Sequence, residues 1–446
     1  MKNHKISLIA AILINMNIMI GAGIYISPPQ MAGIAGDLSF WGWIASAIIF
    51  LPVVISLSRL SRLYPGEGGI YRYAKTMFGP ALGFLGGWSY FLGFVGAQSL
   101  QLTVFRQSIL DHAQLSLLHQ FPWLFNGIFL LVMFGVCTYS LRVLASFQNI
   151  FTFVKMLPLL FVISLLFIFP ALGGTPSQAV STSVSTTESS SFISILKVIP
   201  FSMFAFWGFE ACSNISHRIR GDKRNASRAI LISFSLVSLI YALFHFELLR
   251  VMGPVALFNE QVSGFASYLG VSESFIMIST TIIIIAISTS YFNAIFSSLI
   301  SYSFLLQAMA KDGVLFCSRF IKRSNHNQQP VYGIAINCLL TFILASFVGD
   351  TQSLVALTNL GILLSFIICL VGLIVISARE SLYGTMLIAS SGICSCMIIG
   401  FVSFSGIQEF VNVLPFVLFF GLGYSLFFFR KKHTEDQVEA LDQKTI

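Results

Sequence analysis

The chain has 446 residues, of which 56% are hydrophobic and only 9% charged, with a mean hydropathy of +0.86. Soluble domains carry about 25% charged residues, so this composition excludes a soluble globular protein and predicts a polytopic membrane protein. The net charge of +8 comes from Lys and Arg residues concentrated in alternate loops. This bias predicts a multi-pass plasma (bacterial inner) membrane protein with both termini cytoplasmic, and it argues against a nucleic-acid partner.

Twelve apolar runs are long enough to span a bilayer, which takes about 20 residues. They lie at 7–34, 40–61, 80–107, 122–141, 149–171, 193–217, 227–251, 274–308, 329–348, 353–377, 383–404 and 409–429. The runs 80–107 and 274–308 are long enough to form two elements each. Between the fifth and sixth runs, a Ser- and Thr-rich segment is typical of a linker.

The first run contains the stretch Ile-Gly-Ala-Gly-Ile-Tyr at residues 20–25, close to mid-membrane depth. Two glycines one residue apart favour a break in the helix, and a break in lipid is tolerated only where the freed backbone groups face protein, water or a ligand. The half-helix after the break would point its N–H groups and positive dipole at the gap, which makes an anion site. The alternative is a small-x-small packing pair between helices, and this stretch alone does not separate the two.

The sixth run repeats this pattern, with Gly208 and Glu210 inside apolar residues 204–211. If the chain consists of two five-helix units, the interruptions in the first and sixth helices occupy corresponding positions. Paired interruptions of this kind indicate the binding site of a transporter at the bilayer midplane.

Four ionisable residues fall within predicted spans, and each is a functional candidate because charge is costly in hydrocarbon. Lys155 lies about six residues into the fifth run, where it would carry a proton or extend toward the headgroups. Glu210 would bind a proton, pair with a cation or cap the broken helix. His245 and Glu247 face different sides of the seventh helix and are interpreted as polar packing or as part of an outer vestibule.

Five stretches together resemble the amino acid–polyamine–organocation (APC) transporters. They are Gly21 to Tyr25 with Pro28, Pro65 to Tyr73, Phe204 to Glu210, Gly221 to Ile230 and Ala308 to Val314. Their order and placement match the family's motifs across most of the first ten helices. Ala22 departs from the pattern, because it stands where the family usually has a serine.

The resemblance implies an all-α fold of about twelve transmembrane helices, with a LeuT-type 5+5 inverted repeat and discontinuous first and sixth helices. The repeats would cover 1–171 and 193–377, separated by an extracytoplasmic loop at 172–192. Residues 378–430 would hold two further helices, and 431–446 a cytoplasmic tail.

The resemblance also implies the site. The substrate carboxylate would meet backbone N–H groups from Ile20 to Ile24, and the amino group would meet carbonyls near Phe204, Ala205 and Trp207. Phe204 would be an aromatic gate and Gln98 a side-chain contact on the third helix. The coupling and gating residues would be Lys155, Glu210, Ser297 and Ser298, with Lys155 at the position where several relatives replace a sodium ion. The carboxylate-binding segment would include Gly21, Ala22 and Gly23.

The sequence is therefore interpreted as a sodium-independent amino acid permease working by alternating access, coupled to protons or to substrate exchange. The alternatives are an amino acid/polyamine antiporter and a non-transporting sensor on the same fold. An enzyme is disfavoured because no catalytic cluster lies at one depth, and neither a metal nor a cofactor is expected. The expected partners are an amino acid or amine, protons and the lipid bilayer; a homodimer is left open.

Overall fold

The computed structural model describes residues 7–65, 68–113, 121–139, 150–151, 153–165, 192–211, 219–220, 222, 224–348, 350–407 and 409–442. Within these ranges the regular elements are helices. The loop predicted at 172–192 lies outside the described residues apart from its last residue, and so do Gly66, Glu67, Gly221 and Lys223 of the family motifs.

The helices follow one another along the chain. The first eight are α1 (Leu8–Met19), α2 (Gly23–Ala35), α3 (Trp41–Leu63), α4 (Gly69–Phe78), α5 (Pro80–Ala113), α6 (Pro122–Cys137), α7 (Phe153–Leu165) and α8 (Phe192–Phe206). The remaining seven are α9 (Arg224–Glu260), α10 (Glu273–Lys311), α11 (Ser318–Ile321), α12 (Val331–Phe347), α13 (Thr351–Arg379), α14 (Tyr383–Ser405) and α15 (Leu414–Asp442). Helix α9 is kinked at Gly253, which has a φ of 75° and precedes Pro254.

Six helical segments among the described residues are long and apolar enough to cross a membrane, and the bent pair α1–α2 makes a seventh. These spans confirm the all-helical polytopic membrane class; the count of twelve and the five-plus-five repeat stay predictions. The predicted runs 80–107 and 274–308, which are long enough for two elements each, are each one helix. Helix α10 has 39 residues and would extend about 58 Å at 1.5 Å per residue, so it must tilt or project beyond a hydrocarbon core of about 30 Å.

The first apolar run is broken where the glycine pair predicts it. Helix α1 ends at Met19, α2 begins at Gly23, and the two are bent by 50°. The eighth helix ends at Phe206, and Gly208 follows with a φ of 100°, in the left-handed region that favours glycine. The predicted break in the first run is therefore present, and α8 ends at the position where the second interruption is predicted.

Close backbone contacts hold the helices around these breaks. Helices α5 and α13 approach so closely that a Cβ placed on Gly361 would lie 2.7 Å from Gly93 Cα. Small residues permit this kind of approach, which is how membrane helices gain packing energy without a hydrophobic driving force between them. Of this pair, α5 contributes residues to the cavity between the broken helices.

The polar residues of α9 are used in packing. His245 Nδ1 accepts a hydrogen bond from Trp43 Nε1 at 2.9 Å, and its Nε2 lies 3.2 Å from Ser39 Oγ. Glu247 is fully buried and forms a 2.5 Å ion pair with Arg250. These contacts agree with the polar-packing interpretation, and His245 and Glu247 do not pair with each other.

Candidate functional site

A cavity of about 650 Å³ lies where the two broken helices meet. Its walls come from the α1–α2 break, from the end of α8 and from α5 and α10. One end reaches Gly68, Tyr71 and Lys311, and is called the Lys311 end below. The cavity is large enough to hold an amino-acid-sized molecule, since ligand pockets usually measure about 300–1,000 Å³.

The two breaks touch each other directly. A Cβ placed on Gly23 would lie 2.6 Å from Ala205 Cα, so α2 begins against the backbone of α8. A Cβ on Gly208 would lie 2.9 Å from Ile18 Cγ2, so the turn after α8 rests on the end of α1. The Tyr241 hydroxyl joins the breaks, because it donates to Met19 O at 2.7 Å and lies 3.3 Å from Ala205 O.

The break leaves backbone N–H groups free at the start of α2. The N–H of Gly21 donates to Met19 O, and those of Tyr25 and Ile26 both donate to Ala22 O. In the part of the chain that the structure describes, the N–H groups of the intervening residues 22–24 have no backbone acceptor. Such groups at a helix N-terminus form an anion site, to which the helix dipole adds.

Ten of the thirteen residues predicted for the site line this cavity: Gly21, Ala22, Gly23, Phe204, Ala205, Trp207, Lys155, Glu210, Ser297 and Ser298. The other three do not. The side chains of Ile20 and Ile24 are buried in the core, at 1% and 0% exposure, so these two residues would contribute only backbone groups. Gln98 is fully buried, and Thr341 Oγ1 donates to its Oε1 at 3.0 Å.

Sequence reasoning missed Gln101, which lines the cavity one turn from Gln98. Tyr90, Phe94, Ala97 and Gln101 all contact the cavity, and they recur at intervals of four, three and four residues. This is the spacing of a single helix face. Gln98 lies off that face, so the periodicity from Tyr90 and Phe94 is the signal that could have separated the two glutamines.

Lys155 on α7 is tied to the broken first helix. Its side chain is 3% exposed, and Nζ donates to Asn17 O at 2.8 Å. The Tyr25 hydroxyl donates to the Lys155 carbonyl at 2.5 Å. Since Asn17 precedes the break and Tyr25 follows it, one residue of α7 holds both halves of the broken helix.

Glu210 lies at the turn after α8 and is 2% exposed. Its Oε1 accepts a hydrogen bond from the Tyr90 hydroxyl, whereas Oε2 is buried without a hydrogen-bond partner among the described residues. A buried carboxylate oxygen without a partner requires an explanation. Binding of a proton, or a hydrogen bond from a donor on a ligand, would supply one.

The Trp207 side chain forms part of the cavity wall, and its orientation is fixed by Asn359 of α13. Trp207 Nε1 donates to Asn359 Oδ1 at 2.8 Å. The amide nitrogen of Asn359 donates to Pro200 O at 3.0 Å and to Ser403 Oγ at 3.1 Å. Because an indole only donates, the Asn359 oxygen must face Trp207, and the amide therefore joins α8, the turn after it and α14.

An ion pair lies beside the Lys311 end of the cavity. Asp312, just beyond the end of α10, accepts from Lys75 Nζ and from the Tyr71 hydroxyl, both at 2.7 Å. Partial burial acts to raise the pKa of Asp312, but the hydrogen bonds from Lys75 and Tyr71 outweigh it and lower the pKa below its ordinary value. This contact links α4 to α10 at the edge of the cavity.

Comparison with known proteins gives a family match over nearly the whole chain. Residues 6–428 match the family model described as "Amino acid permease". The match includes both breaks, the cavity and the Asp312 contact.

Individual relatives are more distant. The chain is 20% identical over 276 residues to the glutamate/serine transporter AimA of Bacillus subtilis, covering 56% of this chain and 48% of that protein. It is 24% identical over 355 residues to the human large neutral amino acids transporter small subunit 2, covering 76% and 64%. It is 26% identical over 254 residues to the L-lysine transport protein of Corynebacterium glutamicum, covering 53% and 48%. The chain thus matches about half to two thirds of the length of these curated relatives.

Proposed function

Because this chain belongs to the amino acid permease family, we propose that it is a secondary amino acid transporter that binds its substrate between the two broken helices. The observation that carries the proposal is the cavity in which free N–H groups at the start of α2 face the end of α8. The relatives named above are transporters of amino acids rather than enzymes, and their names span acidic, neutral and basic substrates.

In this proposal the substrate carboxylate binds the free N–H groups of residues 22–24, where the helix dipole favours an anion. The amino group binds carbonyls at the end of α8. Carbonyls in the last turn of a helix receive no hydrogen bond from the N–H of the residue four positions later, so they are available to a ligand. Trp207 and Phe204 provide apolar walls beside these groups. Backbone recognition of this kind accepts any α-amino acid, so selectivity rests on the other side chains of the cavity.

Alternating access would proceed by movement of the helices around this site. We infer a twelve-helix chain with two inverted five-helix repeats, cytoplasmic termini and a cavity that opens to the cytoplasm at the Lys311 end. The matching interruptions in the first and sixth apolar runs support the repeat, and the concentration of Lys and Arg in alternate loops supports the orientation. The contact of Asp312 with α4 would then lie at the cytoplasmic mouth.

Lys155 is the proposed coupling residue, in a sodium-independent cycle driven by protons or by substrate exchange. Its ammonium donates to the Asn17 carbonyl, which the break in α1 leaves exposed. In this proposal the ammonium replaces a bound cation at that carbonyl. Replacing Lys155 by Met retains the length of the side chain and removes the charge. We expect Lys155→Met to abolish pH-dependent uptake into proteoliposomes and to retain substrate binding.

The control for Lys155 is Lys322→Met, which removes a lysine from an exposed loop position and should leave the pH profile of uptake unchanged. Uptake by Lys155→Met that follows the wild-type profile at every pH would show that Lys155 is structural. Dependence of wild-type uptake on sodium would also contradict the proposed coupling.

The test of the function itself is a binding screen by thermal shift over the twenty amino acids and common polyamines. A ligand at a hundredfold excess over its Kd stabilises the protein by about 2.7 kcal/mol. A hit among amino acids supports the proposal, and a hit confined to polyamines favours the amino acid/polyamine antiporter. Counterflow of the bound compound in proteoliposomes then separates a transporter from a non-transporting sensor, because a sensor binds but does not exchange.

A further inference from the structure

We propose that the protein binds a membrane phospholipid with a negatively charged headgroup at the line of contact between α3 and α9. This inference goes beyond transport and does not depend on the substrate cavity. It follows from how the two helices meet, from where their arginines lie and from the exposed apolar faces beside them. The line of contact is called the α3–α9 seam below.

The two helices of the seam run in opposite directions. Near the start of α3, Trp43 Nε1 donates to His245 Nδ1 in the second half of α9. Near the end of α3, Ser58 Oγ accepts from Ser227 Oγ at 3.1 Å, in the first turn of α9. The end of α3 therefore lies beside the start of α9. Both helices are long and apolar enough to cross a membrane, so this end of the seam lies at one membrane surface.

Four arginines surround the contact between the two serines: Arg59 and Arg62 on α3, and Arg224 and Arg228 on α9. Arg62 lies four residues after Ser58, and Arg224 lies three residues before Ser227. Residues three or four apart share a helix face, so these two arginines lie on opposite sides of the seam, one turn closer to the membrane surface than the serines.

Most of this positive charge has no carboxylate partner. Arg224 lies 3.7 Å from Asp222. The other three arginines form no ion pair within the part of the chain that the structure describes, and Arg62 and Arg228 are exposed. A guanidinium group binds a phosphate through two parallel hydrogen bonds. The end of the seam is therefore complementary to the phosphate of an anionic lipid.

On α3 the arginines continue an exposed apolar face. Ile48, Leu51, Ile55, Arg59 and Arg62 recur at intervals of three, four, four and three residues, which is the spacing of one helix face. The side chains of Ile48 and Leu51 are 66% and 41% exposed. In a membrane-spanning helix such a face contacts the acyl chains of lipids.

The same pattern occurs on α9 in the opposite direction. Arg228, Ile232, Leu236 and Leu239 recur at intervals of four, four and three residues and are all exposed. From Arg228 to Leu239 is eleven residues, or about 16 Å along the helix axis. This is about half of a hydrocarbon core of about 30 Å, which is the depth of one leaflet. Acyl chains lying along both faces would thus place their phosphate among the arginines.

The general bias of Lys and Arg toward cytoplasmic segments does not require this arrangement. That bias counts charges in loops and near the ends of spans. It does not require that arginines of two neighbouring helices meet at one seam and continue their exposed apolar faces. Basic sites between membrane helices bind anionic headgroups in this way.

The experiment counts lipids bound to the full-length protein by native mass spectrometry in detergent. Phosphatidylglycerol and phosphatidylcholine with the same acyl chains are titrated onto wild type, Arg62→Gln/Arg228→Gln and the control Arg319→Gln/Arg323→Gln. The control removes two exposed arginines at and just after α11. Each arginine near an anionic lipid contributes about fivefold in affinity. We expect wild type to prefer phosphatidylglycerol, the seam variant to bind it about 25-fold more weakly, and the control to bind it as wild type does.

Three results would overturn the inference: equal retention of the two lipids by wild type, equal losses in the seam variant and the control, or displacement of phosphatidylglycerol by an excess of inorganic phosphate. The last result would indicate a site for free phosphate.

A measurement on wild type alone covers the case in which the seam variant fails to fold. A photoactivatable phosphatidylglycerol is cross-linked to the protein, and the labelled peptides are identified. Labels should fall on α3 and α9, and labels confined to other helices would contradict the proposed site.

Discussion

The contact between Gly23 and Ala205 provides a sharp test of the proposed binding mode. Gly23 is the first residue of α2, and its N–H is one of the groups proposed to bind the substrate carboxylate. In Gly23→Ala the added Cβ would lie 2.6 Å from Ala205 Cα and 2.8 Å from Ala205 Cβ. These atoms belong to the backbone and the first side-chain carbon of α8, so they cannot rotate away.

An ordinary contact of a Cβ atom measures 3.4–4 Å, so the distance of 2.6 Å to Ala205 Cα is short by about 1 Å. The change therefore forces the two broken helices apart by about this distance. Overpacking of this kind costs about 1–3 kcal/mol. If the whole cost falls on the state that binds substrate, affinity falls by a factor of roughly 5 to 140, at 1.4 kcal/mol for each tenfold change. The affinity of the purified variant for its amino acid, measured by calorimetry, gives this factor directly.

Two controls separate the contact from the general effect of replacing glycine. In Gly21→Ala the added Cβ has its nearest neighbour at 3.9 Å, and in Gly135→Ala, on α6, nothing lies within 4 Å. Gly21→Ala should therefore lower affinity much less than Gly23→Ala, and Gly135→Ala should bind as wild type does. Wild-type affinity in Gly23→Ala, in a protein of normal thermal stability, would refute the argument that the crossing of the breaks forms the site.

Two further predictions concern residues that position the cavity. Asn359→Leu removes the acceptor of the Trp207 indole and should raise the KM for uptake while wild-type surface expression is retained; an unchanged KM would show that Trp207 is held by packing alone. Because the pKa of Asp312 is lowered in the folded state, its contacts with Lys75 and Tyr71 stabilise the protein above the ordinary carboxyl value of 3.8. That contribution is lost as the pH falls through the lowered pKa. Asp312→Asn should therefore lower the thermal midpoint at neutral pH. The loss should correspond to less than about 1 kcal/mol, because the pair is partly exposed. In acid, the thermal midpoints of the variant and the wild type should become equal.

Much of the architecture follows from local sequence. The long apolar runs require membrane spans, because only helices satisfy their backbone groups within lipid. Glycines in apolar runs predict the break between α1 and α2 and the end of α8, since glycine is unfavourable in a helix interior, although α5 accommodates several glycines in one continuous helix. Lys155 and Glu210 were selected on a similarly local argument, the cost of burying charge.

The tertiary structure decided which groups face one another. Gln98 and Gln101 are the same residue type on one helix and lie only about 60° apart around its axis, because three residues at about 100° each fall about 60° short of a full turn. One nevertheless contacts Thr341 and the other lines the cavity. Asn359 likewise joins α8 to the turn after it, and Tyr241 joins the two breaks, each from a distant part of the chain. A helix sequence gives the angles between its own side chains, whereas the identity of the neighbour at each angle depends on how the helices pack.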